Sequence, residues 1–474
     1  MLGTRGACTR RSLLRASLAG GAGMALAGCG SSLARLTQAA RRPVVLSWRP
    51  WIPTSGGSTS RVLLQEGIRP WLARNPGVEV HLVELGDTTD VVASLEAGMG
   101  PDVFEDSVLS PYTAAEQVQD LMPWVRRDGV SLNAFAGGRP RLGPLQGPGV
   151  DGRQALYGLP AHTRTVSMAV NLGVLDASGL GRPDPSWTYQ DWANLWQQVV
   201  AANPGRWGGS LDWSGYDGSG GNPAPFYLRG FGGEYVDPAN RTLCWLDQSG
   251  SLAALSWCYG LQLGNICGGS TDQDFGTGRL VSGPLGTTGG LLLAAQQWRD
   301  LHWGVYPMPR WPQGRFTLGS GQFCAMWAGT GAPDVAWSLM HYLCVQQDWQ
   351  RYLIVMALLG PNQSSLWSEW KARVLSTAPP LQSVDLQVFV DAVQREELYP
   401  GLSFQFAEEQ STEILETFGS QVQSGMSVQA AALAATRQID AVQSAAALQE
   451  QAARAAAARL THMAANGAGP GPAG

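Results

Sequence analysis

Apolar residues fall along this chain in short runs whose spacing switches between strand and helix periods. Val44-Val45-Leu46-Ser47-Trp48 is a β-branched run closed by Arg49-Pro50 and predicts a buried strand. Residues 60–73 follow with helical spacing and stop at the turn Asn75-Pro76-Gly77. Val78, Val80, Leu82 and Leu85 mark a second strand over 78–85, residues 90–97 a helix stopped by Gly98, and Pro101-Asp102-Val103-Phe104 a third strand. Strand, helix, strand, helix, strand predicts a parallel sheet with right-handed crossovers. Ligands of such open sheets sit at the carboxyl ends of the strands, which puts Trp48 to Trp51 and Glu105 to Ser107 on one rim.

Beyond the Gly/Pro-rich stretch 136–152, strands are predicted at 157–160, 166–171 and 304–307, and helices at 189–202, 249–263 and 290–299. A glycine-heavy segment, 205–233, carries Trp207, Trp213, Tyr216, Phe226 and Tyr227. From Pro333 the pattern is mostly helical. Residues 430–465 are Ala-rich with too few large side chains for a core, and 466–474 are expected to be disordered.

Composition narrows the function classes. The 474 residues are 44% hydrophobic and 15% charged, with 60 Gly, 29 Pro and 19 Trp, which describes a globular, turn-rich chain of more than one domain. Net charge is −5 and Lys371 is the only lysine, so no basic stripe faces a run of phosphates and nucleic-acid binding is not expected. No zinc spacing, nucleophile elbow, His-Glu-x-x-His or P-loop is present, and neither a cofactor nor a metal is expected. Gly147-Pro148-Gly149-Val150-Asp151-Gly152 follows no strand and opens no helix, so it reads as a loop.

The amino terminus reads as an address. Thr9-Arg10-Arg11-Ser12-Leu13-Leu14-Arg15 is a twin-arginine region, followed by a weakly apolar stretch over 16–27 and then Leu26-Ala27-Gly28-Cys29. The tetrapeptide resembles a bacterial lipobox. That resemblance implies cleavage of residues 1–28, lipidation of Cys29 and a tether over 29–42 that anchors an exported protein to the cell membrane. A twelve-residue apolar run is too short to span a bilayer, which needs ~20 residues. The body cysteines Cys244, Cys258, Cys267, Cys324 and Cys344 are odd in number and read as structural thiols.

A series of motifs in order then resembles a known family. Leu46-Ser47-Trp48, Asn75-Pro76-Gly77-Val78-Glu79-Val80, Gly98 to Phe104, Tyr157-Gly158-Leu159-Pro160, Asn171-Leu172, Pro185-Ser186-Trp187-Thr188, Phe275 to Arg279 and Pro307 to Pro309 are similar to segments of extracellular solute-binding protein family 1. These are the sugar-binding lipoproteins and periplasmic proteins of ABC importers. The resemblance implies an α/β, two-lobed periplasmic-binding-protein fold (type II-like), with a ligand cleft between lobes joined by about three hinge segments. By that resemblance the crossings fall near 161–164, 301–306 and 343–348. Lobe 1 then covers 43–161 plus 306–346, lobe 2 covers 165–302 plus 350–450, and 451–474 form an Ala/Gly-rich tail. One departure concerns the ligand: the family's Gly-Pro-Trp is here Gly283-Pro284-Leu285, which removes an aromatic platform.

Sugar rings have apolar faces and polar edges, so their sites need flat aromatic surfaces rimmed by carboxylates, amides and hydroxyls. Many tryptophans must be packing, among them Trp187, Trp192, Trp196 and Trp337 at helical positions. The ligand candidates are those in loops: Trp48, Trp51, Trp213, Tyr216, Trp311 and Trp367. Polar candidates are Glu105 and Asp106 at the third strand end, His162 and Thr163 at the first crossing, Asp212, Thr287, Thr288, Ser320, Gln322 and Gln405. Each carboxylate also has an ordinary reading as a cap or solvated charge, and His162 as a hinge histidine. The expectation is a monomeric, non-catalytic receptor that closes on a carbohydrate and hands it to an ABC permease. Two alternatives stay open: a polyol or glycerol phosphate ester held by Arg49 or Arg164, and a secreted glycosidase using Glu105, Asp106 and Asp212.

Overall fold

The computed structural model describes residues 43–467 apart from 52–57, 87, 108, 110–111, 113–115, 149–152, 212–223, 269–270, 288 and 396. Its body is one compact unit beginning at Val44. Cys29, with the rest of the expected signal and tether, lies outside the described residues, as do Asp212, Trp213, Tyr216 and Thr288.

Two sheets organise the body. The first contains β1 (Val44–Arg49), β2 (Val78–Leu82), β3 (Val103–Asp106), β6 (Leu159–Pro160) and β12 (Phe323–Met326) in the order β2-β1-β3-β12-β6. β1 runs parallel to both β2 and β3, whereas β12 returns antiparallel to β3 and β6. The parallel pairs follow from the predicted crossovers, α1 (Ser58–Arg74) and α2 (Thr88–Glu96). Gly98, at φ +68°, turns the chain out of α2 in a conformation that favours glycine. Asp102 ties the layer together: its carboxylate accepts from the Ser47 N–H (2.8 Å), the Ser47 hydroxyl (2.7 Å) and the Thr330 hydroxyl (2.7 Å).

The chain then forms the hairpin β4 (Gln146–Pro148) and β5 (Gln154–Leu156) before entering the second sheet. That sheet has β7 (Val166–Asn171), β8 (Trp207–Gly209), β9 (Leu280–Gly286) and β10 (Trp303–Tyr306) in the order β10-β7-β9-β8. One face packs on α3 (Tyr189–Ala202), opened by a Thr188/Asp191 capping box, and on α4 (Ser249–Leu263). The other face buries Ala169, Trp303 and Val305 against Ile354 at the end of α5 (Gln347–Ala357) and Phe389 and Val390 of α6 (Gln387–Gln394). A short parallel pair, β11 (Thr317–Leu318) with β13 (Leu398–Tyr399), lies beside it.

The second crossing differs from expectation. β10 pairs with β7 along its whole length, and Met308, Trp311 and Leu318 belong to the second sheet's core, so residues 303–318 stay with that sheet. The chain returns to the first sheet at 319–322, between β11 and β12, rather than at 301–306. The first crossing, 161–165, links β6 directly to β7, and the third runs into α5, whose Trp349 and Leu353 still pack in the first core.

The carboxyl terminus also differs. α7 (Glu408–Gln423) and α8 (Val428–Gly467) form an antiparallel pair with α4, and Ala431, Ala432, Ala435 and Ile439 are buried in that contact. Large side chains are not needed there, because alanines let helix backbones approach closely enough to bury their small faces.

Two buried amides fasten the crossings. Asn362 Nδ2 donates to Pro160 O (2.6 Å) and Cys344 O (2.7 Å), and its N–H donates to Gln350 Oε1 (2.9 Å). Gln350 Nε2 in turn donates to Ala161 O (2.8 Å) and Leu343 O (2.9 Å). Losing a donor from a buried carbonyl costs roughly 1–3 kcal/mol, so these amides hold the two crossings together. At Gly360 the Thr163 N–H reaches the carbonyl (2.8 Å), and a Cβ there would collide with the Thr163 oxygen.

Candidate functional site

The strand ends of the first sheet and the first crossing converge on one cluster. Arg49, at the end of β1, is buried: one guanidinium nitrogen donates to Glu105 O, the other to Gly86 O (2.7 Å), and the group lies 3.7 Å from the Asp106 carboxylate. The chain then turns so that Trp51 N–H donates to Glu105 Oε2 at 3.2 Å. The half-buried Trp51 ring lies 5.0 Å from the His162 ring at 37°. Trp51, Glu105 and His162 thus form an aromatic and carboxylate cluster where 161–165 leaves the first sheet.

Because side chains alternate along β3, Glu105 and Asp106 point to opposite faces. Asp106 is fully engaged: Oδ1 accepts from the Thr88 hydroxyl (3.0 Å) and Ser107 N–H (2.6 Å), and Oδ2 from the Tyr112 hydroxyl. It clamps the loop after β3 and does not offer a free edge, contrary to its expected role. Glu105 is 5% exposed, and burial pushes its pKa up to about 7 against the opposing pull of the Trp51 N–H, the Arg49 guanidinium and the Trp48 indole. Arg164, on the crossing, is lowered to about 10 by burial.

The sign of the Glu105 shift carries a stability prediction. The folded chain holds this proton above the ordinary pKa of 4.5, so the stabilisation is complete below 4.5 and is lost as pH rises through 7. A shift of this size corresponds to about 3 kcal/mol. Glu234 and Glu408, raised first by burial to about 7, act in the same direction. The unliganded protein is therefore expected to melt lower at pH 8 than at pH 5.5, and Glu105→Gln to flatten that slope. Parallel melting curves across pH for the two proteins would remove Glu105 from the account.

The other expected site residues divide by burial. Trp48 is fully buried and packs edge-on against Trp349, with centroids 5.7 Å apart. Trp311, flanked by prolines in sequence, folds down onto the second core among Tyr227 (5.3 Å), Trp257 (5.4 Å) and Tyr189 (6.0 Å). It sits so tightly that a Cβ at Gly230 would strike its ring. Trp367 is fully buried against Trp370 and donates to Pro361 O (3.1 Å). These three tryptophans are core and present no ring face to a ligand.

Thr163 and Thr287 are likewise buried, and Thr287 stitches the crossing: its N–H donates to Thr165 O (3.0 Å) and its hydroxyl accepts from Thr165 N–H (3.2 Å). Ser320 and Gln322 lie on the second crossing, where their carbonyls accept from Arg164 N–H (2.7 Å) and Ala161 N–H (2.9 Å). Gln322 Oε1 is buried with no hydrogen-bond partner among the described residues. Gln405 stands apart, half-buried, bonded through its N–H to Arg241 O (3.0 Å).

Sequence reasoning missed Gln350 and Asn362, for which the only signal was an Asn after Gly360-Pro361. It also missed Glu234, which is 2% exposed, accepts from the Tyr399 hydroxyl and lies 3.8 Å from Arg229. Arg229 itself lies over the Phe316 and Tyr399 rings, 5.8 and 5.6 Å from their centroids.

Residues 52–344 match the family model described as bacterial extracellular solute-binding protein. No curated protein matches the chain. Among solved structures, the sugar-binding protein MalE of Xanthomonas citri is similar at 17% identity and a TM-score of 0.64, over 85% of this chain and 98% of that one. The cyclic α-maltosyl-1,6-maltose binding protein of Arthrobacter globiformis is similar at 17% identity and a TM-score of 0.64, over 85% and 99%. An ABC substrate-binding protein of Listeria monocytogenes, solved with cycloalternan, aligns at 14% identity and a TM-score of 0.62, over 85% and 99%. At such identities the likeness is one of fold: two lobes of the periplasmic-binding-protein type.

Proposed function

Because the chain belongs to the bacterial extracellular solute-binding protein family, we propose that it captures a carbohydrate between its two lobes and delivers it to an ABC permease. The observation that carries this reading is the half-buried Trp51 ring beside the Glu105 carboxylate at the mouth of the first crossing. An indole face suits the apolar face of a sugar ring, and a desolvated carboxylate is a strong acceptor for its hydroxyls. The unpartnered Gln322 Oε1 offers a further acceptor on the second crossing. Ligand contacts from both lobes favour the closed form, and the permease reads that form. The lobes in this reading are 43–161 with 323–346, and 165–318 with 350–450.

Anchoring through lipidated Cys29 belongs to the same proposal and rests on the lipobox-like Leu26-Ala27-Gly28-Cys29. Engagement of Arg49 by Glu105 O, Gly86 O and Asp106 takes up that guanidinium, which weighs against Arg49 holding a phosphate ester and favours a neutral ligand. Saturation of Asp106 weighs against paired-carboxylate hydrolysis at this strand end. A thermal-shift series against sugars, polyols and phosphate esters, with product analysis of each hit, tests the reading. A stabilising sugar recovered unchanged is expected. Stabilisation by phosphate esters alone, or hydrolysis of the hit, overturns it, and identical scattering profiles with and without a tight ligand overturn closure.

A further inference from the structure

A groove of about 740 Å³ lies on the second lobe, between β10 and α6, away from the Trp51 and Glu105 cluster. β10 is the edge strand of its sheet. His302 O accepts from Gly173 N–H (2.9 Å) on the β7 side, while Pro307 O accepts from the Trp187 indole (2.9 Å) on the other. Antiparallel alternation then turns the N–H and C=O groups of Trp303 and Val305 outward, into the groove. A row of unpaired backbone donors and acceptors at a sheet edge is a template for another extended chain.

The groove walls say which chain. Arg182 is neutralised by Asp176 (3.0 Å) and Arg395 by Asp391 (3.0 Å). Arg310 and Arg315 have no carboxylate within 4.0 Å among the described residues, and Arg315 Nε is buried with no acceptor. Arg315 is held in place through its other end, which donates to Pro185 O (2.7 Å). Glu397, on the same wall, attracts both guanidiniums but does not pair with either. Two guanidiniums without a paired carboxylate, Arg310 exposed and Arg315 half-buried, beside an open strand edge call for carboxylates at alternate positions of an extended segment. The chain's own tether has the wrong charge, since residues 30–42 carry Arg35, Arg41 and Arg42 and no acid.

We propose that this groove docks an extended acidic segment of a partner protein, added as a strand to β10 and held by Arg310 and Arg315. The probe is a fluorescein-labelled peptide, Glu-Val-Asp-Val-Glu-amide, followed by anisotropy on the full chain. Saturable binding is expected, weakened at least about tenfold by Arg310→Gln, and similarly by N-methylation of every second residue in one of the two possible registers. Arg310→Gln leaves the Arg315 contact to Pro185 intact, and an unchanged melting temperature separates lost docking from lost folding. A peptide with lysine in place of each acid is expected not to bind. No binding up to millimolar peptide, equal binding of the lysine peptide, or indifference to both N-methylated forms and to Arg310→Gln overturns the proposal. None of these readouts depends on the solute in the cleft.

Discussion

Trp51→Ala and Glu105→Ala will each weaken sugar capture by roughly ten- to a hundredfold while leaving the fold intact. The indole supplies stacking worth ~0.5–1.5 kcal/mol beyond the apolar area it covers. The carboxylate supplies charge-assisted hydrogen bonds of roughly 1.5–3 kcal/mol. The two substitutions differ in a way that identifies the contributions. Trp51→Ala keeps the backbone N–H that bonds Glu105, so the carboxylate retains its orientation. Glu105→Ala removes the acceptor and should also abolish any rise in affinity as pH climbs through 7, where the wild-type carboxyl ionises. Calorimetric titration with the best sugar from the thermal-shift series checks both; wild-type affinity in both variants would displace the site from this cluster.

Trp311→Ala should do the opposite, destabilising the protein by roughly 3–5 kcal/mol while leaving the affinity of the folded fraction unchanged. Its ring is 2% exposed and meets Tyr189, Tyr227 and Trp257 at once, so truncation opens a cavity that the surrounding rigid rings fill poorly. Denaturant titration measures the loss. A variant that unfolds like the wild type but binds sugar weakly would restore Trp311 to the ligand side.

These two tryptophans show where sequence reading succeeds and where it stops. Strands 44–49 and 166–171 and helices 189–202 and 249–263 were legible because hydrophobic period and capping residues are local properties. The parallel order at the first sheet followed from them. Whether a loop aromatic faces solvent or core is decided by what folds over it, and Pro309-Arg310-Trp311-Pro312 looks as loop-like as Arg49-Pro50-Trp51-Ile52. The same limit separates Glu105 from Asp106. Period two says that they face apart, but only the approach of Thr88 and Tyr112 reveals which of them is already occupied. The crossing at 301–306 was misplaced because an apolar strand carries no mark of the sheet it joins. The returning stretch 319–322, Gly-Ser-Gly-Gln, is too short and polar to stand out.

The pair of amides at the crossings has a consequence for selection and engineering. Asn362 and Gln350 join the first and third crossings through backbone carbonyls, so these two connections cannot slide independently. In the proposed closure mechanism, the free-energy gap between the open and closed forms is then partly set by these crossing residues. A substitution that loosens or tightens this pin acts as a remote affinity dial: it shifts every ligand's dissociation constant by one common factor and leaves their rank order untouched.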